Sequence, residues 1–69
     1  MKKIYLLIYS NCVMFGNFDE NKNFYYYELF RFFDNIHNNK SIDIRFFDYF
    51  ITYQRQYKIE TIDKSDKEY

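Results

Sequence analysis

The aromatic-rich segment of residues 23–38 constrains the fold more than any other part of this chain. At the 3.6-residue period of an α-helix, its large apolar side chains gather on one side and its polar side chains on the other. The apolar side consists of Tyr26, Leu29, Phe30, Phe33 and Ile36, and the polar side of Glu28, Arg31, Asp34, Asn35 and Asn38. This pattern predicts an amphipathic helix that depends on burying its rings against a sheet.

Two short runs before this segment have the composition of β-strands. Residues 3–9 are rich in Ile, Leu and Tyr on both faces, which is typical of a central or covered strand. Ser10, Asn11 and Cys12 supply a turn, because Asn tolerates the backbone angles of tight turns. Residues 13–15 then continue as an extended run. We therefore expect an N-terminal β-hairpin.

The segment of residues 42–53 fits two different periods. Apolar and charged residues alternate from Ile42 to Phe46, as in a half-buried strand. The helical period also fits, because one stripe of a helix would hold Ile42, Phe46, Tyr49, Phe50, Tyr53 and Tyr57. β-Branched and aromatic residues favour the strand, which we adopt as the prediction. The alternative is a second helix over residues 42–56.

The predicted fold is a small α+β domain of residues 1–62. It consists of the N-terminal hairpin, one central helix and C-terminal strands that complete a small antiparallel sheet, the last strand over residues 57–62. A chain of 69 residues supplies material for one domain. Residues 63–69 are charged and have no apolar face, so we expect a mobile C-terminal tail.

The sequence does not indicate a catalytic or metal site. Cys12 and His37 are the single cysteine and the single histidine, and together they are too few ligands for a structural zinc site. The neighbours of Cys12 supply no positive charge that would activate its thiol. Gly16 is the only glycine, so a glycine-rich phosphate loop is excluded. We expect a protein without enzymatic activity, cofactor or metal.

The same features predict a cytoplasmic protein. One cysteine cannot form an intramolecular disulfide, which fits a reducing compartment. The longest uninterrupted apolar run, residues 4–9, is too short to cross a bilayer. We expect no membrane partner.

The aromatic residues exceed what a short core requires and indicate a binding surface. The chain has nine Phe and nine Tyr. Phe24 and Tyr27 fall on the polar side of the predicted helix, surrounded by Glu28, Arg31 and Asp34. An aromatic anchor rimmed by charge is typical of protein interfaces. These five residues are the predicted partner-binding site.

Three functional hypotheses follow. The first is a non-enzymatic interaction protein that binds and inhibits a host protein or ribonucleoprotein complex. The preference for residues with AT-rich codons suggests a phage or mobile element, and an anti-CRISPR role is one such function. The second is a regulator that stacks single-stranded nucleic acid on Phe24, Tyr25 and Tyr27, although ten basic residues balanced by ten acidic ones argue against direct nucleic-acid binding. The third is a self-associating structural subunit, such as a homodimer.

Overall fold

The structure is a computed structural model that describes residues 2–37 and 39–69. Within these ranges the elements are β1 (Lys2–Tyr9), β2 (Cys12–Phe18), β3 (Phe24–Asp34), β4 (Lys40–Ile42), α1 (Arg45–Gln56) and β5 (Tyr57–Lys64). The strands form a single sheet in the order β4-β3-β2-β1-β5. The predicted α+β class is confirmed at this level.

The predicted N-terminal hairpin is confirmed. β1 and β2 are antiparallel neighbours, with Leu6 opposite Phe15 and Ile8 opposite Val13. β2 is longer than expected, because it continues through the buried Gly16.

The helix predicted over residues 23–38 is wrong, because Phe24–Asp34 forms β3. Aromatic residues are mediocre helix formers and good strand formers. β2 also offers this segment an antiparallel edge, on which Phe30 lies opposite Val13. Asn38, at the end of the predicted helix, lies outside the described residues.

A β-bulge explains why the strand period of β3 is hidden in the sequence. Phe15 lies opposite Glu28, whereas the next residue, Gly16, lies opposite Tyr26. Tyr27 is therefore an extra residue on β3, and it shifts the phase of the two-residue alternation. The shifted pattern resembles a helical stripe.

The strand predicted over residues 42–53 is also wrong, and the helical alternative is correct. Ile44, the residue before α1, has no capping side chain. The Asp43 carboxylate accepts a hydrogen bond from the Arg45 backbone N–H at 3.0 Å and another from its guanidinium at 2.7 Å. These hydrogen bonds from Arg45 lower the pKa of Asp43. These local contacts lie at the start of the helix.

The last strand is confirmed, but the sheet is mixed rather than antiparallel. β5 runs parallel to β1, from Tyr57 opposite Lys2 to Lys64 opposite Tyr9. α1 connects β4 at one edge of the sheet to β5 at the other. A helix of 12 residues is about 18 Å long, close to the roughly 19 Å spanned by four strand spacings. The helix is therefore long enough to cross the sheet.

The core lies between the sheet and α1. Its buried side chains are Ile4, Leu6, Val13, Phe15 and Phe30, and the helix covers them with Phe46, Tyr49, Phe50 and Tyr53. The Phe15 ring is the centre of this cluster, because it stacks on Phe46 at 5.4 Å and contacts Tyr53 at 4.9 Å between ring centroids. On this face of the sheet, the core is built on aromatic contacts.

The residues after β5 contact the turn between β1 and β2. The Ser10 N–H donates to the Lys67 carbonyl at 2.8 Å, and the Tyr69 N–H donates to Asn11 Oδ1 at 2.9 Å. The Tyr69 ring lies 5.6 Å from the Tyr9 ring.

Within residues 2–37 and 39–69, no helix is both long enough and apolar enough to cross a bilayer.

Candidate functional site

The sheet has two different faces. Side chains alternate along each strand, so one set points towards α1 and the other points away from it. Across the described ranges, no helix and no second sheet lies on the face away from α1. We call this surface the open face; its strand residues are Lys3, Tyr5, Leu7, Tyr9, Cys12, Met14, Gly16, Phe18, Phe24, Tyr26, Leu29, Arg31, Phe33, Ser41, Lys58, Glu60, Ile62 and Lys64.

The middle of the open face is closed to solvent although no helix covers it. Leu7, Cys12 and Met14 are all fully buried. α1 lies on the opposite side of the sheet, so other parts of the chain cover these three residues.

Aromatic rings follow one another across the open face. Phe18 contacts Tyr5 at 5.0 Å and Phe24 at 5.2 Å between ring centroids. Further along β3, Tyr26 is 52% exposed and Phe33 is 54% exposed. An exposed ring on a sheet surface is a platform on which a planar ligand can stack.

Charge is divided unevenly between the two faces. The open face carries four basic side chains, Lys3, Arg31, Lys58 and Lys64, and one acidic side chain, Glu60. The other acidic residues lie on the covered face, in turns, on α1 or in the C-terminal segment: Asp19, Glu20, Glu28, Asp34, Asp43, Asp48, Asp63, Asp66 and Glu68. A chain with zero formal net charge thus has a basic surface.

The basic groups of the open face are interleaved with its rings. Lys3 Nζ lies 5.7 Å from the centroid of the Tyr5 ring, and Lys64 Nζ lies 6.0 Å from that of Tyr9. Lys3 also forms an ion pair with Glu60 at 3.2 Å. A lysine ammonium group therefore lies near a tyrosine ring at each end of the paired strands β1 and β5.

The structure separates the five predicted partner-binding residues. Phe24 and Arg31 lie on the open face. Glu28 and Asp34 belong to the face towards α1, since Glu28 pairs with the core residue Phe15. Tyr27 is the bulge residue, and its ring lies 5.7 Å from that of Tyr25. These residues do not form a single surface.

Sequence reasoning missed the contribution of β5. Lys58, Lys64 and Lys3 meet on one face only because β5 pairs in parallel with β1. The alternation of residues 58–64 contained a signal, since Lys58, Glu60, Ile62 and Lys64 share one side of a strand. Their shared surface with Tyr5 and Tyr9 depends on long-range pairing.

The structure does not bring together catalytic groups around Cys12 or His37. His37 is exposed in the turn after β3, where its backbone N–H donates to Asn35 Oδ1 at 2.9 Å. Throughout residues 2–37 and 39–69, no three His, Cys, Asp or Glu side chains are placed to hold a metal ion. A depression of about 200 Å³ lies beside Asp48, Tyr49 and Thr52, smaller than the roughly 300–1,000 Å³ typical of ligand pockets.

The Cys12 thiol is expected to react slowly in the folded protein. Burial raises the pKa of Cys12, and the nearby positive charge of Arg31 offsets only part of this effect. Less thiolate is therefore present at pH 8 than in an unfolded chain. Labelling with a thiol reagent should be at least about 100-fold slower than in urea, because it requires local opening. Equal labelling rates would contradict the burial of Cys12.

Comparison with known proteins does not assign a family. No family model, no curated protein and no solved structure matches the chain.

Proposed function

We propose that this protein is a non-enzymatic binder of single-stranded nucleic acid and that the open face is its binding site. The observation that supports this proposal is an uncovered sheet face on which basic side chains outnumber acidic ones and on which the rings of Tyr26 and Phe33 are exposed. Balanced total charge argued against this function from the sequence, but the ligand meets one face rather than the average of the chain.

The two kinds of side chain would have separate roles. Base stacking on an aromatic ring contributes about 1–3 kcal/mol per base and tolerates any base, because every base has a π-face. Tyr26 and Phe33 are the most exposed strand rings of the open face. Lys58, Lys64 and Arg31 would neutralise phosphates, with a release of counterions that depends on salt. Single-stranded ligands fit this arrangement, because their bases are free to stack.

Inhibition of a host protein complex is the second candidate function. It is favoured by an exposed apolar stripe on α1, which consists of Ile44, Phe47 and Ile51. The phage or mobile-element origin, the anti-CRISPR role and the cytoplasmic location remain predictions. A pull-down from a low-GC host lysate, with and without nuclease, separates the candidates: capture of protein that survives nuclease treatment supports the second.

Binding of a fluorescent 12-nucleotide single strand, followed by anisotropy, tests the first proposal. Tyr26→Ala should weaken binding by about 5-fold to 100-fold, because it removes one stacking platform. Tyr25→Ala is a matched control: Tyr25 is adjacent in sequence and similarly exposed, 47% against 52%, but lies on the other face. Tyr25→Ala should weaken binding of the single strand by less than about twofold.

The salt dependence provides an independent readout of the same complex. Four basic residues predict a log–log slope no steeper than about −3 for a single strand. The double variant K58E/K64E should abolish binding, whereas K2E/K22E makes the same change in net charge away from the open face and should retain most of it. Absence of binding at low salt, or equal effects of the two double variants, would refute the proposal.

A further inference from the structure

The helix α1 is apolar on two opposite sides. Its inner side packs on the sheet, yet none of its residues is fully buried. On its outer side, Ile44, Phe47 and Ile51 are 80%, 56% and 43% exposed. Their i, i+3, i+7 spacing places them in one stripe, which we call the outer stripe.

Opposite charges flank the outer stripe at the two ends of the helix. Asp48 lies in the first turn and Arg55 in the last turn. Asp48, Ile51 and Arg55 lie four, seven and eleven residues after Ile44. This spacing places all four side chains on the same side of the helix. Among the ion pairs of the described residues, neither Asp48 nor Arg55 takes part. Both charges are therefore available to a partner.

We propose that Phe47 and Ile51 of the outer stripe bind the same two residues of a second copy of this chain, with the two α1 helices antiparallel about a two-fold axis. An antiparallel pair places the first turn of each helix beside the last turn of the other. Asp48 of each copy then approaches Arg55 of the other, so one contact occurs twice, as a two-fold axis requires. A parallel pair would bring like charges together.

This arrangement is independent of the proposed nucleic-acid function, because it uses the other side of the molecule. The open faces of the two copies would point away from each other. A single pair of short helices buries an area at the low end of specific interfaces, below about 1,200 Å² in total. The dimer should therefore be weak and should be sought at high protein concentration.

Sedimentation equilibrium over a wide concentration range tests the dimer through a charge exchange. Asp48→Arg and Arg55→Asp alone each place like charges across the axis and should weaken dimerisation about tenfold or more. The double variant D48R/R55D restores opposite charges and should return the dissociation constant to within about threefold of the original. Far-UV circular dichroism verifies that each variant is folded.

The double variant also separates pairing from a local effect on the helix. A positive charge in the first turn and a negative charge in the last both oppose the helix dipole, so local effects add in the double variant. The effects on the charge pairs between the two copies instead cancel in the double variant. A double variant that dimerises no better than the single variants would overturn the proposal. A monomer at every concentration would do the same and leave the outer stripe to a different protein.

Discussion

Replacing Phe15 by Ala is expected to unfold a large fraction of the protein at room temperature. The Phe15 ring is fully buried and contacts the rings of Phe30, Phe46, Phe50 and Tyr53. Truncation of such a ring lowers the free energy of unfolding by about 3–5 kcal/mol. At about 0.05–0.15 kcal/mol per residue, a chain of 69 residues has only about 3–10 kcal/mol in total. The loss is therefore comparable to the whole stability.

Urea unfolding followed by far-UV circular dichroism measures this effect. Phe33→Ala is the control, because it removes the same atoms from a ring that is 54% exposed on the open face. Its free energy of unfolding should fall by less than about 1 kcal/mol. Similar losses for the two variants would mean that the core is not centred on Phe15.

Replacing Gly16 by Ala is expected to separate β3 from β2. A Cβ atom at Gly16 would lie 2.8 Å from Tyr26 Cα and 2.6 Å from Phe24 Cζ, and closer still to the Tyr25 carbonyl oxygen. The Phe24 ring can rotate away, but the other two atoms belong to the paired backbone. Gly16 does not have a positive φ, so its requirement is space rather than backbone freedom. Forcing the strands apart should cost about 3 kcal/mol or more.

Hydrogen exchange locates this damage as well as measuring it. In Gly16→Ala, the backbone amides of β3 should lose protection before those of β5, because the clash is at the bulge. Thr61→Ala is the control, because it adds no atoms and lies at an exposed position of β5. Its free energy of unfolding should fall by less than about 1 kcal/mol. Unchanged protection of β3 would show that the strand accommodates the extra methyl group.

Local alternation was sufficient to predict the elements that pair with their neighbours in sequence. The hairpin of β1 and β2 followed from two extended runs around Asn11, and the start of β5 at Tyr57 followed from its alternating residues. Apolar residues on both faces of β1 correctly indicated a strand in the interior of the sheet, where β1 lies between β2 and β5.

The exchange of helix and strand between residues 23–38 and 42–53 has a physical cause. Both segments are so aromatic that either period places rings on one side. The bulge at Tyr27 shifts the two-residue alternation of the first segment, so its apolar residues match the period of a helix. Tertiary packing decided the second, because a helix allows Phe46 and Tyr53 to contact Phe15 together. The periodicity of a single segment shows neither the bulge nor the contacts that the segment makes with the rest of the chain.

The open face could not be predicted from the sequence for a similar reason. Lys3 and Lys58 are remote in sequence and become neighbours only through the parallel pairing of β1 with β5. Net charge is a sum over the whole chain, so it does not show that basic side chains outnumber acidic ones on the open face. Two of the predicted partner-binding residues, Phe24 and Arg31, share the open face, whereas β3 places Glu28 and Asp34 on the other face of the sheet.

The parallel pairing of the first and last strands has a consequence for biosynthesis. β1 is synthesised before β2, β3, β4 and α1, whereas its neighbour β5 follows all of them. Until β5 is made, one edge of β1 is unpaired. Such non-local contacts slow folding and leave the nascent chain prone to aggregation. The edge of β1 that pairs with β5 therefore stays unpaired while β2, β3, β4 and α1 are synthesised.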